Sequence, residues 1–200
     1  MRRLEYPIFW VEAFNKAYQV WVPIDATVTG IINKPSKLEP PASYDQNVMS
    51  YVVAFDEHGY ARDVTRRYTK AYNAKTRKLR IESTENGNRW WQKALQPFRS
   101  RTQSVRNQVE DAEFSKKEAQ EGLPSNVQHF KDHPYYALER HLKRHEVIHP
   151  KRAVGKINAG KSSGSNVENV YRRNDVQLVR SADKWYRVGR VIKVPILFEL

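Results

Sequence analysis

Cysteine is absent from all 200 residues. That excludes a disulfide framework, a thiolate zinc ribbon and any cysteine nucleophile within them. No apolar run approaches the roughly 18 residues that cross a bilayer, and no signal peptide opens the chain, so no membrane partner is expected. No segment recurs at a fixed period, which removes solenoids and other repeat arrays. Negative charge is scarce: 22 Asp+Glu stand against 35 Lys+Arg, a formal charge of +13. A polyanion is therefore the leading partner, with nucleic acid ahead of an anionic surface. Aromatic residues are plentiful, with 5 Trp, 11 Tyr and 7 Phe. A disordered basic tail would be poor in such side chains, so the chain folds.

The positive charge is unevenly placed. Residues 1–100 hold 16 Lys+Arg and 10 Asp+Glu, residues 101–122 hold 4 and 5, and residues 123–200 hold 15 and 7. Screening acts over roughly 8 Å at physiological salt, so local clusters matter more than the total. A polyanion contact is expected to be strongest in the C-terminal part.

Two apolar runs, Ile8 to Phe14 and Val20 to Ile24, are rich in β-branched and aromatic residues and predict a hairpin. A Pro- and Lys-rich loop follows over 32–43. Tyr51 to Phe55 and Tyr60 to Val64 flank Asp56-Glu57-His58-Gly59, a second hairpin with Gly59 supplying the turn. From Asn88 the pattern changes. Trp90, Trp91, Ala94 and Leu95 fit a short helix stopped at Pro97. A polar helix is expected over 103–121, with Val105, Val109 and Ala112 as a thin stripe and Gly122 as its stop. So little apolar surface suggests a helix that bridges units. Asp132-His133-Pro134 offers a helix start before Tyr135, Leu138 and Leu142, with Pro150 limiting the far end. Residues 151–166 read as a Gly/Ser/Lys loop, followed by strand-like runs at 169–171, 176–179 and 188–198. The fold class is α+β, an antiparallel sheet with helices followed by a small helix plus β-hairpin domain. The expected boundary falls between 1–122 and 123–200.

Three motifs need weighing. Gly155 to Ser162 matches the phosphate-loop pattern G-x-x-x-x-G-K-[ST]. The segment before it, His149-Pro150-Lys151-Arg152, is no buried strand, and Ser163-Gly164-Ser165-Asn166 is a poor helix start. A basic loop that could still grip phosphates is the better reading. His141, His145 and His149, and separately His129 and His133, stand at one-turn spacing, but no third strong metal ligand accompanies them. No cofactor or metal is expected. The basic pairs Arg66-Arg67, Lys143-Arg144, Lys151-Arg152 and Arg172-Arg173, with Trp185 and Tyr186 among Lys184, Arg187 and Arg190, point to a nucleic-acid surface. Each pair could also be plain solvated surface, and Trp185 could equally be a core residue under a hairpin.

Phe9-Trp10-Val11-Glu12-Ala13-Phe14, then Trp21-Val22-Pro23-Ile24-Asp25, resembles the His- and Asp-bearing hairpin of the transglutaminase-like fold. Asp25 takes the aspartate position, Phe9 stands where active members carry histidine, and the cysteine has no counterpart. The resemblance implies a scaffold without base or nucleophile, and no enzyme activity. Further stretches are similar to the XPC family of nucleotide-excision-repair proteins. They are Val52 to Asp56, Arg62 to Tyr68, Trp90-Trp91 with Leu95-Gln96-Pro97-Phe98, and, most specifically, Phe130 to Leu142. Val170-Tyr171-Arg172-Arg173 through Trp185 and Gly189-Arg190-Val191 resemble the remainder of that family's first β-hairpin domain.

The resemblance implies a partial transglutaminase-like domain plus the first hairpin domain, which together grip undamaged double-stranded DNA beside a lesion. It also implies a nuclear setting and a ubiquitin-receptor repair partner with an XPC-binding domain. TFIIH would be met, if at all, through parts of a full-length protein outside these residues. On this reading Lys143, Arg144, Lys151, Arg152, Lys156, Lys161, Arg172 and Arg173 contact phosphates, Arg99 and Arg101 extend the track, and Trp185 and Arg187 join it. Phosphate contacts hold register without reading sequence, so little sequence preference is expected. The competing reading is a protein-interaction module whose basic surface is incidental.

Overall fold

The structure, a computed structural model, describes residues 4–102, 104–160 and 167–191. The chain divides into two compact units, Met1–Pro124 and Ser125–Leu200. The architecture is α+β with short antiparallel sheets throughout.

In the first unit, β1 (Val11–Asn15) pairs with β2 (Val20–Asp25), with Val11 opposite Ile24 and Asn15 opposite Val20. Asn15 closes the turn by accepting hydrogen bonds from the Ala17 and Tyr18 amides at 3.0 and 3.2 Å. β3 (Ile31–Ile32) adds beside β2. Side chains alternate across a strand, and here one face carries Glu12, Phe14, Trp21, Pro23 and Asp25 inward. The other face carries Val11, Ala13, Val22, Ile24 and Ile32, of which Val11 and Ile32 are 67% and 63% exposed.

The second expected hairpin forms as β4 (Val53–Phe55) and β5 (Ala61–Asp63). Gly59 turns it at φ +80°, and Asp56 accepts from the His58 and Tyr60 amides, both at 2.9 Å. The one-turn helix α1 (Thr65–Tyr68) follows, its Thr65 amide and hydroxyl donating to Asp63 at 3.0 and 2.6 Å. Leu38, Val64 and Tyr68 form the small buried core, covered by Trp10, Ile31, Met49, Val52, Ala54 and Phe114.

α2 (Gly87–Leu95) ends in a 3-10 turn through Pro97, where the sequence placed its stop. Its first residue must be glycine, because a Cβ there would lie 1.7 Å from the Ile81 carbonyl oxygen. Trp91 is pinned by its indole N–H, which donates to Asp63 at 2.9 Å. Asp63 also pairs with the buried Arg80, whose guanidinium donates to the Ser50 carbonyl and lies 4.2 Å from the Tyr51 ring.

The polar helix exists as α3 (Val105–Gln120), capped by Ser104, but it docks differently from the expectation. Val105 and Ala112 are exposed. The stripe that meets the fold is acidic. Glu110 pairs with Arg67 and Arg62, Asp111 with Arg62, Glu113 with Arg67, and Glu118 with Arg66 at 3.5 Å. Glu121, just past the helix, accepts from the Asn73 amide and side chain at 2.8 and 2.9 Å. Phe114 is the apolar anchor of this face. The helix is a member of the first unit, held by charge where apolar area is lacking.

In the second unit, β6 (Tyr136–Ala137), β9 (Val167–Arg172) and β8 (Ala153–Asn158) form one sheet in that order. β7 (Glu146–Ile148) and β10 (Val176–Leu178) form a second ribbon, and α4 (Ala182–Tyr186) closes the described chain. Phe130, Leu138, Ile157 and Val170 are its core, with Val127 and Tyr136 packed on them.

The structure departs from the sequence expectation at three places. The helix expected from Asp132 does not form. Asp132 adopts φ +54°, and the buried His133 ring accepts from the Tyr135 and Tyr136 amides, both at 3.2 Å, which turns the chain into β6. Residues 139–141 make a 3-10 turn, so the histidine spacing marks no helix face. The expected 151–166 loop is a strand over its first half, so Gly155 to Asn158 of the phosphate-loop pattern is ladder backbone. Of the expected terminal run 188–198, residues 188–191 are not strand, and 192–198 lie outside the described residues.

Candidate nucleic-acid interface

Asp25, expected at the aspartate position of a transglutaminase-like hairpin, is bound into the turn that follows β2. It is 1% exposed at the end of β2, and one carboxylate accepts five bonds from the turn that follows. The Thr27 and Val28 amides and the Thr27 hydroxyl reach Oδ1 at 3.0, 3.2 and 3.0 Å, and the Thr29 amide and hydroxyl reach Oδ2 at 2.8 and 2.6 Å. Burial alone would push this carboxyl up. The bonds from Thr29, Val28 and Thr27 outweigh it and hold the group well below the ordinary 3.8. Phe9 lies ahead of β1 and is exposed.

The folded-state pKa of Asp25 is depressed, so its stabilisation is complete above about pH 4 and lost as pH falls below it. Asp25→Ala leaves the turn amides without their acceptor and is expected to cost about 2–3 kcal/mol at neutral pH. The cost shrinks on acidification, read by urea unfolding at two pH values. A cost that is the same at both would refute the assignment.

The basic pairs meet different fates. Arg67 is buried, bound by Glu12 at 2.8 Å, by Glu113 at 3.1 Å and by Glu110, while Arg66 lies over the Tyr72 ring at 4.2 Å. That pair is structural and is struck from the nucleic-acid surface. Arg173 is also held, by Glu146 at 3.1 Å, and its amide donates to the Tyr135 carbonyl at 2.8 Å. Lys151 is exposed but pairs with Glu139 at 3.0 Å.

The β8–β9 hairpin organises the others. Ala153 pairs with Tyr171, so Arg152 and Arg172, the next residues outward, enter the same end of the hairpin. Lys156 sits opposite Asn169 on the face turned from the core, because its neighbours Ile157 and Val170 point inward. Arg152, Lys156 and Arg172 are all exposed, and none has an ion-pair partner among the described residues. A register irregularity between Ala153 and Gly155 separates them: Arg152 and Arg172 lie at one end of the hairpin, and Lys156 lies further along β8.

Lys143 and Arg144 are exposed in the turn before β7, where the Lys143 amide donates to Glu146 at 2.9 Å. Lys161 lies outside the described residues. Trp185, half-buried on α4, has the guanidinium groups of Arg180 and Arg190 at 5.6 and 5.5 Å from its ring. Arg187 is exposed beside it. Arg99 and Arg101 belong to the first unit, between α2 and α3; Arg99 donates to Gln92 and Arg101 is exposed.

Sequence reading missed Arg180 and the three carboxylates that hold cations in this unit, Glu139, Glu146 and Glu168, the last paired with Arg140. Nothing in the local sequence marks these acids, since each stands alone among residues of other kinds. Among the described residues no three His, Asp or Glu side chains gather as a metal site. No helix there is long and apolar enough to cross a membrane.

A small antiparallel sheet with its aspartate locked in a turn, followed by a separate unit built on a cation-bearing hairpin, defines a transglutaminase-like scaffold joined to a β-hairpin module. Residues 1–115 match the Rad4 transglutaminase-like domain and residues 120–176 match Rad4 beta-hairpin domain 1. The chain belongs to the Rad4 family. The DNA repair protein rhp41 of Schizosaccharomyces pombe is 40% identical over 190 residues, 94% of this chain and 29% of that protein. The DNA repair protein RAD4 of Saccharomyces cerevisiae is 34% identical over 196 residues, 95% of this chain and 26% of that protein. The chain thus spans less than a third of the length of these relatives. Among solved structures, Rad4-Rad23 crosslinked to an undamaged DNA superposes with a TM-score of 0.86 at 33% identity, covering 96% of this chain and 39% of that one.

Proposed function

We propose that this chain is a non-catalytic duplex-holding part of a DNA-damage recognition factor in nucleotide excision repair. The observation that carries the reading is the exposed set Arg152, Lys156 and Arg172 on the β8–β9 hairpin, cations with no ion-pair partner among the described residues. Family membership and a relative crosslinked to undamaged DNA support it. Lys143, Arg144, Lys161 and Arg187 would add phosphate contacts, Trp185 would brace Arg180 and Arg190 toward the backbone, and Arg99 and Arg101 would contribute from the first unit. Lys151 and Arg173 are already paired and would contribute less. No element among the described residues offers a base-reading helix, so the contacts would position without specifying.

Chromosomal DNA as ligand implies a nuclear protein. A ubiquitin-receptor partner is proposed for the first unit, supported by the apolar outer face of its sheet and by the Rad23 in the relative's complex. We assign no TFIIH contact to these residues.

Fluorescence anisotropy against matched and mismatched duplexes, at several salt concentrations, tests the reading. Nearly equal affinities are expected, with a log–log salt slope of roughly −4 to −6. No binding at low salt would transfer the function to protein docking alone.

A further inference from the structure

We infer that Glu139 is a built-in competitor for DNA phosphate, holding the Lys151 ammonium in an ion pair of no net charge and thereby setting the strength of the hairpin unit's grip. The inference rests on the duplex-holding reading. Glu139 Oε1 receives two donors, Lys151 Nζ at 3.0 Å and the Tyr171 hydroxyl at 3.1 Å. The Tyr171 side chain is buried and comes from β9, so its hydroxyl fixes the carboxylate on the fold. Lys151 is 64% exposed, one residue before the unpaired Arg152. Its ammonium stands where a phosphate oxygen could replace the carboxylate oxygen, since both are anionic acceptors for the same charge-assisted bond.

The electrostatic consequence follows from counting charge. A lysine that neutralises a phosphate displaces about 0.9 of a counterion from B-DNA. Lysine and glutamate held together bring no net charge, so the pair adds almost nothing to the salt slope. If Lys151 turns to DNA instead, Glu139 is left facing the polyanion. Arg152, Lys156 and Arg172 carry no such cost. The sequence neighbours Lys151 and Arg152 are thus unequal: one is tethered, the other committed. The Lys151 bond also holds Glu139 below the ordinary carboxylate range, so the competitor stays ionised throughout the neutral range.

The experiment compares the parent chain with Glu139→Gln on a blunt duplex across a salt series. Glutamine keeps an acceptor for Tyr171 and removes the charge. Binding is expected to tighten by about threefold to tenfold at low salt, with a slope steeper by about 0.9. Asp183→Asn removes one exposed negative charge from the same unit where no basic side chain is paired with it among the described residues. It is expected to leave the slope unchanged. An unchanged Glu139→Gln slope, or an equal steepening by Asp183→Asn, overturns the inference while leaving the duplex reading intact. Failure of the parent itself to bind would instead remove the duplex reading.

Discussion

Arg67→Leu is expected to unfold the first unit at moderate temperature. The guanidinium is 1% exposed and is the common partner of Glu12 on β1 and of Glu110 and Glu113 on α3. The Tyr68 hydroxyl donates to Glu12 in the same cluster, and Lys117 reaches the Arg67 carbonyl. Leucine matches the stem of arginine and removes all three attractions at once, leaving carboxylates in a site where charge is poorly solvated. Breaking a buried pair in this way costs about 3–5 kcal/mol, a large part of the total stability of a domain this size. Burial already raises the Glu110 carboxyl above its ordinary value, with Arg67 pulling it back down. Without Arg67 that carboxyl rises further. Its ionised form then penalises the fold above the raised pKa, and the penalty is relieved as pH falls and it takes up a proton. Chemical unfolding of parent and variant should therefore show a gap that narrows on acidification. A loss below about 1 kcal/mol, the scale of a surface pair, would demote the cluster to ornament.

The triple variant Arg152→Ala, Lys156→Ala and Arg172→Ala carries the second large effect. All three side chains are exposed and lack ion-pair partners among the described residues, so the fold should tolerate their loss within about 0.5 kcal/mol. Duplex affinity is expected to drop about a hundredfold at physiological salt, and the salt slope to flatten by roughly 3, one unit per lost phosphate contact. The loss should be uniform across duplex sequences. Retained affinity, or a loss confined to one sequence, would remove these hairpin cations from the interface.

The two N-terminal hairpins were legible because alternation and turn chemistry agreed: Asn15 and Asp56 each cap the turn they precede, and Gly59 supplies the positive φ. The helix misread after Asp132 had convincing apolar spacing at Tyr135, Leu138 and Leu142. A histidine whose ring accepts backbone hydrogen bonds leaves no periodic trace, and His133 decided the conformation. Arg66-Arg67 and Arg172-Arg173 look alike in sequence and differ in the fold. The partners that bury Arg67 lie 43, 46 and 55 positions away, beyond the reach of any local pattern. The candidate interface was legible as a charge excess after residue 123. Which cations are spent internally depends on Glu139, Glu146 and Glu168, and only the strand register and the turns place those acids. The phosphate-loop pattern failed for a related reason: its first four residues pair in a ladder with β9 instead of wrapping an anion.

The docking of α3 through Glu110, Asp111, Glu113 and Glu118 gives the first unit two joints that answer heat differently. Contacts such as those around Leu38 and Tyr68 draw on apolar hydration, which weakens on cooling and levels off on warming. The ionic joint also weakens on cooling but keeps gaining as temperature rises, because the hydration that competes with it becomes steadily less favourable. Heat therefore favours the helix's attachment after the apolar contacts have stopped gaining. The sheet-and-core portion and the helical strap are thus expected to differ in how steeply they respond to warming, with Phe114 a side chain of the strap that shares in both kinds of contact.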